Sequence, residues 1–320
     1  MKKINKILIT GGCGFIGSHI SEYFFYKYKR AKIVIYDKMT YAAHRSNLKE
    51  IIHSNRVILI KKDICDLKNL DKYCKNTDLL IHAAAESHVD NSFLMRDDFI
   101  KTNVIGTKNI MEASLKNKIK NIIHISTDEV YGQILKGKFK ESSPLNPSNP
   151  YSSSKAAAEM IVKGYIKSFK LPVKIVRPNN IYGTRQHPEK LIAGCFWCII
   201  KKKKFTLHGQ GKQKRTFLHV KDFCNSLDII ITKGKNFESY NVGTNEEYKN
   251  IDLIKLICKL TKVNHKDIIK KISDRLFNDA RYSVDYNKIL QLGWIKKKTV
   301  PKNLKEIWNW TQKNYKNFTR

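Results

Sequence analysis

Lys6-Ile7-Leu8-Ile9-Thr10 runs directly into Gly11-Gly12-Cys13-Gly14-Phe15-Ile16-Gly17, and this junction sets the architecture. A short β-rich run ends in a G-x-x-G-x-x-G turn, and the pattern over 15–29 predicts a helix immediately after it. Glycines suit that junction for three reasons: the turn is tight, the backbone must approach a pyrophosphate closely, and the helix must pack against its strand. The helix N-terminus then offers unpaired N–H groups and the positive end of its dipole to phosphates. A dinucleotide site is therefore expected on Gly11, Gly14, Phe15, Ile16 and Gly17.

Downstream, β-rich runs at 32–37, 56–61, 78–83, 121–126 and 173–177 alternate with helical patterns that include 91–117 and 152–169. Such alternation predicts βαβ units and an α/β fold, a Rossmann-type doubly wound parallel sheet. Beyond Pro178 the runs become irregular, with helices expected at 250–261 and 301–314. Residues 1–178 are thus expected to form the nucleotide domain, rejoined by part of 216–240. Residues 179–320 should form mainly a smaller substrate-binding lobe.

Asp37 closes the second run, 20 residues after Gly17. A carboxylate there can accept both ribose hydroxyls of an adenosine and would repel a 2′-phosphate. NAD is favoured over NADP, although Lys38 next door tempers the preference. Asp63 and Ile64, just past the third run, are placed to touch the adenine, a position that an ordinary strand-end aspartate fills equally well.

Composition narrows the function classes. The chain has 320 residues, 42% hydrophobic and 10% aromatic, and at that length roughly three quarters of the unfolded surface can be buried. Disordered and fibrous classes are excluded. The longest apolar stretch, around 195–200, falls far short of the ~20 residues of a membrane span. At the N-terminus the apolar core is only Ile7-Leu8-Ile9, against about 7–15 residues in a secretory signal. Seven cysteines, an odd number without framework spacing, agree with a reducing compartment. A cytoplasmic location is expected. Cys195 and Cys198 form a C-x-x-C with no second pair at ligand spacing, so no metal is expected. The charge of +33 would suit a nucleic-acid binder. Its only dense run is Lys201–Lys204, however, so a solvated basic surface that attracts anionic substrates is the simpler reading, with no specific nucleic-acid partner.

Tyr151 and Lys155 form a Y-x-x-x-K at a helix start, after a loop marked by Pro144, Pro147 and Pro150. The spacing puts both side chains on one helix face. A nearby ammonium and a positive nicotinamide ring favour phenolate; bringing a phenol near neutrality takes about 4 kcal/mol of differential stabilisation. Tyr23/Lys27 and Tyr28/Lys32 match the same pattern inside the first predicted helix, where packing roles are expected. Position selects Tyr151. The fifth run ends in Ser126-Thr127-Asp128-Glu129-Val130-Tyr131-Gly132. Open α/β sheets bind ligands at strand carboxyl ends, so a hydroxyl and two acids are delivered there. If their environments push the two carboxyls apart, one serves as acid and the other as base.

These motifs, with the segments at 10–19, 36–42, 83–92, 102–107, 179–183, 188–192, 209–222 and 240–243, resemble the extended short-chain dehydrogenase/reductases. Within that group the chain is similar to the nucleotide-sugar 4,6-dehydratases acting on dTDP-glucose or UDP-glucose. The resemblance implies that Tyr151 takes the 4-hydroxyl proton while the C4 hydride passes to NAD⁺, with Lys155 tuning the phenol and Thr127 bonding near O4. Glu129 would then remove the C5 proton, Asp128 would protonate the departing 6-hydroxyl, and hydride would return to C6. The same likeness adds Thr40, Ala83, Ala84, Ala85, Ser87 and Thr102 to the cofactor contacts. For the nucleotide-sugar it implies Ser87, Asn180, Lys190, Leu191, Thr206, His208, Arg215 and Asn250, with Arg281 a second guanidinium candidate beside Arg215. A homodimer joined through two helices per subunit is also implied, and the patterns at 91–117 and 152–169 could supply them. Phe277-Asn278 depart from the bacterial pattern and resemble plant-type rhamnose synthases, which favours UDP. A 4-epimerase or decarboxylase is the alternative within the group. Outside it stands a basic nucleotide- or nucleic-acid-binding scaffold.

Overall fold

The computed structural model describes residues 4–318. In chain order the first half runs β1 (Lys6–Thr10), α1 (Phe15–Lys27), β2 (Lys32–Asp37), β3 (Val57–Lys61), α2 (Leu67–Cys74) and β4 (Leu79–His82). Then come α3 (Val89–Leu94), α4 (Arg96–Phe99), a π-helical segment (Ile100–Gly106), α5 (Thr107–Lys116), β5 (Ile122–Ile125), a 3-10 turn (Asp128–Tyr131) and α6 (Pro150–Phe169). The second half contains β6 (Val173–Pro178), β7 (Asn180–Tyr182), α7 (Leu191–Ile200), β8 (Phe205–His208), β9 (Lys214–His219), α8 (Val220–Lys233) and β10 (Ser239–Val242). It ends with β11 (Glu247–Lys249), α9 (Asn250–Thr261), α10 (His265–Ile268), β12 (Ile269–Ile272), α11 (Asn287–Gln291) and α12 (Val300–Asn314).

Seven strands pair in the order β10-β6-β5-β4-β1-β2-β3, and every pairing in this sheet is parallel. Strands covered on both faces read as continuous apolar runs, and Ile7, Leu8 and Ile9 are fully buried. Alternation then sorts them. Ile7, Ile9, Ile33 and Ile35 pack with Phe24 of α1 and Phe223 of α8, whereas Leu8, Val34, Leu80 and Ile122 pack with Ile110 of α5 and Val162 of α6. A separate core holds the C-terminal lobe, where Cys195, Phe196 and Cys198 of α7 meet Leu253 and Ile257 of α9 and Leu304 of α12. Small sheets β11-β9-β7 and β12-β8 line that lobe.

Three local expectations need correction. The pattern at 91–117 is not one helix: it breaks at Met95 and widens into π geometry over Ile100–Gly106. The widened turn brings Asn103 inward, where its side-chain oxygen accepts from the Glu86 N–H at 2.9 Å and its amide donates to Ser154 Oγ at 2.8 Å. The helix of 15–29 ends at Lys27, so Tyr28 caps it and Lys32 opens β2; that Tyr/Lys pair shares no helix. The third concerns α6, which starts at Pro150 rather than 152. Asn149 and Ser152 form a reciprocal capping box around a proline in the first turn, an arrangement that fixes the start of a helix.

Candidate active site

A cleft of about 780 Å³ lies at the carboxyl ends of the sheet strands, bounded opposite by the C-terminal lobe. The glycine turn shapes one end. Gly11 has φ +69° and a Cβ there would stand 2.7 Å from the Ala84 Cα, while a Cβ on Gly17 would stand 2.0 Å from the Gly11 carbonyl oxygen. No side chain caps α1 at Gly14, which leaves its first N–H groups for an anion. Asp37 is buried, its two oxygens accepting from the Cys13 and Met39 N–H groups at 2.8 and 2.7 Å. Lys38 is paired with Asp63 at 2.9 Å, so its charge is partly spent. Phe15, Ile16, Thr40, Ile64, Ala83, Ala85, Ser87 and Thr102 line the same cleft. Close glycine backbone, a bare helix N-terminus and a buried carboxylate at the end of β2 form a donor set that fits a dinucleotide.

Tyr151 stands in the first turn of α6, and Lys155 follows one turn later. The Lys155 ammonium donates to the Ile125 carbonyl at 2.8 Å, and burial brings it down to about 8, with Glu159 opposing. Burial, followed by the Glu129 and Asp128 charges, pushes Tyr151 well above its ordinary value, and the Thr127 hydroxyl is the one group that opposes this. A positive nicotinamide ring beside the phenol would add to the opposing side.

Thr127 caps the 3-10 turn, its hydroxyl accepting from the Glu129 N–H at 3.3 Å. The two acids that follow diverge. Glu129 lines the cleft; Asp128, buried beside it, accepts from the Asn179 amide at 2.6 Å and from the Thr127 hydroxyl at 3.4 Å, two groups that themselves line the cleft. Burial, then the neighbouring Glu129 charge, raises Asp128 to about 7. Burial also raises Glu129, but Arg215 and Lys190 oppose it. Both carboxyls are thus raised: Asp128 is about half protonated at neutrality, while Arg215 and Lys190 oppose the rise of Glu129.

At the substrate end, Arg215 on β9 is anchored by the Lys214 and Asp279 carbonyls at 2.9 and 2.8 Å and lies 4.5 Å over the Tyr282 ring. Lys190 donates to the Ser87 carbonyl at 2.7 Å, and Leu191 opens α7 beside it. Asn180, Thr206, His208 and Asn250 also line the cleft. Asn250 Oδ1 and His208 Nδ1 are buried without a hydrogen-bond partner among the described residues. Arg281 does not join them. Its guanidinium is bound to Glu247 at 2.5 Å and to the Gly137 carbonyl at 3.0 Å, outside the cleft. Neighbouring residues of extended chain point to opposite sides, and here Tyr282 faces inward instead, bonded to Asp279 and 3.4 Å from Glu129. Sequence reasoning also missed Asn179, which adjoins Asn180, and Arg275, which is paired with Asp90 at 2.5 Å across the cleft. Among the described residues no group of three or more His, Cys, Asp or Glu could hold a metal, and no helix is long and apolar enough to cross a membrane.

A doubly wound sheet with this glycine turn and a Tyr-x-x-x-Lys helix on one cleft defines an extended short-chain dehydrogenase/reductase. Residues 8–307 match the model of the GDP-mannose 4,6-dehydratase family. The chain is 37% identical to the dTDP-D-glucose 4,6-dehydratase of Dictyostelium discoideum, over 98% of this chain and 83% of that protein. It is 39% identical to a trifunctional Arabidopsis thaliana protein whose name includes UDP-glucose 4,6-dehydratase, over 97% of this chain and 47% of that one. The Streptomyces venezuelae dTDP-glucose 4,6-dehydratase, solved with NAD bound, superposes with a TM-score of 0.95 at 33% identity, covering 98% of each chain. The protein belongs to this family, the nucleotide-sugar 4,6-dehydratases.

Proposed function

We propose that the protein is an NAD-dependent nucleotide-sugar 4,6-dehydratase, a hydro-lyase that converts UDP-glucose or dTDP-glucose to the 4-keto-6-deoxy sugar nucleotide and water. The observation that carries this is the split acid pair beside Tyr151 and Thr127. A 4-epimerase needs only a phenol, a lysine and a hydroxyl; elimination across C5 and C6 also needs a base and an acid acting on one sugar edge.

Gly11, Gly14, Gly17, Asp37 and Lys155 would hold NAD, which supplies a reversible hydride acceptor at the sugar. Tyr151 removes the 4-hydroxyl proton and Thr127 orients O4. The ketone at C4 acidifies C5–H; Glu129 accepts that proton, and Asp128 delivers its own to the 6-hydroxyl as it leaves. Glu129 later returns its proton to C5. Arg215 grips the diphosphate, and its planar fork suits two oxygens at once.

Two further readings belong here. Leu94, Met95, Ile100, Ile105, Met160 and Phe169 are about half exposed or more on the helices of 89–106 and α6. Apolar groups at that density favour burial against a second copy, so we infer a homodimer, which a monomer mass in light scattering at micromolar concentration would refute. The odd, unframed cysteines fit a cytoplasmic setting. The test of function is to incubate the protein with UDP-glucose and with dTDP-glucose separately. A product lighter by one water is expected from at least one; no mass change from either overturns the reading.

A further inference from the structure

Beneath the cleft, a charged group that the mechanism does not use joins the two catalytic elements. Arg177 on β6 and Glu159 on α6 are almost completely buried. Arg177 Nε donates to Glu159 Oε1 at 2.9 Å and Nη2 to Oε2 at 2.6 Å, a fork-to-carboxylate pair. Its remaining nitrogen donates to the Tyr131 hydroxyl at 2.5 Å and to the Glu141 carbonyl at 3.1 Å. The guanidinium lies 4.8 Å over the Tyr131 ring, and the Tyr131 hydroxyl donates to Asn241 Oδ1 on β10 at 2.9 Å. Four of the five guanidinium N–H groups are thereby used.

The places these partners occupy matter. Glu159 lies one helical turn beyond Lys155 and two beyond Tyr151, on their face of α6. Tyr131 ends the 3-10 turn that begins at Asp128. Two residues beyond Arg177, Asn179 grips Asp128 itself. Replacing a buried ion pair with apolar groups often leaves stability unchanged or raises it, so packing alone is a weak reason for this one. Geometry is a stronger one, because oxidation at C4 uses Tyr151 on α6 while elimination uses Asp128 and Glu129 on the turn. One sugar must meet both without moving.

We propose that the Glu159–Arg177–Tyr131 bracket fixes the spacing between α6 and the acid-bearing turn, making Arg177 and Tyr131 positioning residues for the elimination half of the reaction. This rests on the dehydratase reading above. A displacement of about 1 Å at a reacting group can cost on the order of a hundredfold in rate. Loosening the turn while α6 keeps its own cap and core contacts therefore slows elimination more than oxidation.

The decisive variant is Tyr131→Phe, which removes one hydroxyl and keeps the stacked ring. In single turnovers with UDP-glucose or dTDP-glucose, whichever the wild type uses, reduction of the nicotinamide is expected within about twofold of wild type. Its reoxidation is expected to slow at least about tenfold, so reduced cofactor accumulates and borohydride traps more of the 4-ketohexose nucleotide. Arg177→Lys, which keeps the charge and loses the fork, should shift the partition the same way. If Tyr131→Phe loses its cooperative melting transition, Arg177→Lys decides. Equal slowing of both halves, or no change in either, overturns the bracket. A wild-type protein that forms no 4-keto product overturns the dehydratase reading, and the bracket with it.

Discussion

Replacing Asn179 with Ala removes the amide that donates to Asp128 at 2.6 Å, and this bond favours the ionised carboxylate. A hydrogen bond to a charged group contributes about 1.5–3 kcal/mol, and about 1.4 kcal/mol moves a titration by one pH unit. Asp128, already raised to about 7 by burial and by Glu129, should therefore titrate about one to two pH units higher in the variant. The general acid must be protonated to work, so elimination in the wild type falls as pH rises through about 7, and in Asn179→Ala that alkaline limb moves up. At about pH 8.5 the protonated fraction grows about 8- to 25-fold, from about 3% to between about a quarter and three quarters. The substitution also strips the Thr244 N–H of its acceptor, now at 3.2 Å. That buried group costs about 1–3 kcal/mol when unsatisfied, and the melting temperature should drop by a few degrees. The assay is single-turnover elimination, followed by reoxidation of the nicotinamide between about pH 6 and pH 9. An alkaline limb that stays in place, or moves down, refutes the assignment of Asp128 as the acid.

Glu129→Gln cannot accept the C5 proton; elimination should fall by about 10²–10⁴ while oxidation persists, so reduced cofactor and the 4-ketohexose nucleotide accumulate in quenched samples. Gly17→Ala drives a Cβ to 2.0 Å from the Gly11 carbonyl oxygen, a backbone clash that should destabilise the turn by about 1–3 kcal/mol; dinucleotide co-purifying with the protein, measured after denaturation, should be largely lost. Arg215→Lys keeps the charge but loses the fork, and with about 1.5–3 kcal/mol removed from the diphosphate, KM should rise about 10- to 150-fold with little change in kcat.

Much of the nucleotide half is legible in the chain itself. Strands buried on both faces must be apolar throughout, and the runs at 6–10 and 32–37 coincide with β1 and β2. A glycine turn can serve only one end of such a strand. The break near Met95 and the π-helical widening at 100–106 were not legible, because their cause is tertiary: Asn103 turns to satisfy Glu86 and Ser154, groups 17 and 51 residues away in sequence. A helical pattern records which face is apolar and says nothing about a polar side chain drawn out of phase by a distant partner.

The acid pair shows the same limit at the site. As neighbours, Asp128 and Glu129 are chemically alike in sequence, and no spacing rule tells which should stay protonated. The 3-10 turn gives the two carboxyls different neighbours, and the distinction follows from what each then meets. Asp128 is buried against the neighbouring Glu129 carboxylate, with the Asn179 amide, Arg215 and the Thr127 hydroxyl opposing the rise, whereas Glu129 meets Lys190 and Arg275 in addition to Arg215. Arg215 and Lys190 belong to the C-terminal lobe, and both are expected to hold the substrate. On the proposed function, a diphosphate held by Arg215 would weaken the hold of that cation on the Glu129 charge and raise its affinity for a proton. The base would then be stronger when there is a C5 proton to remove, through a side chain more than 60 residues from the acid it tunes.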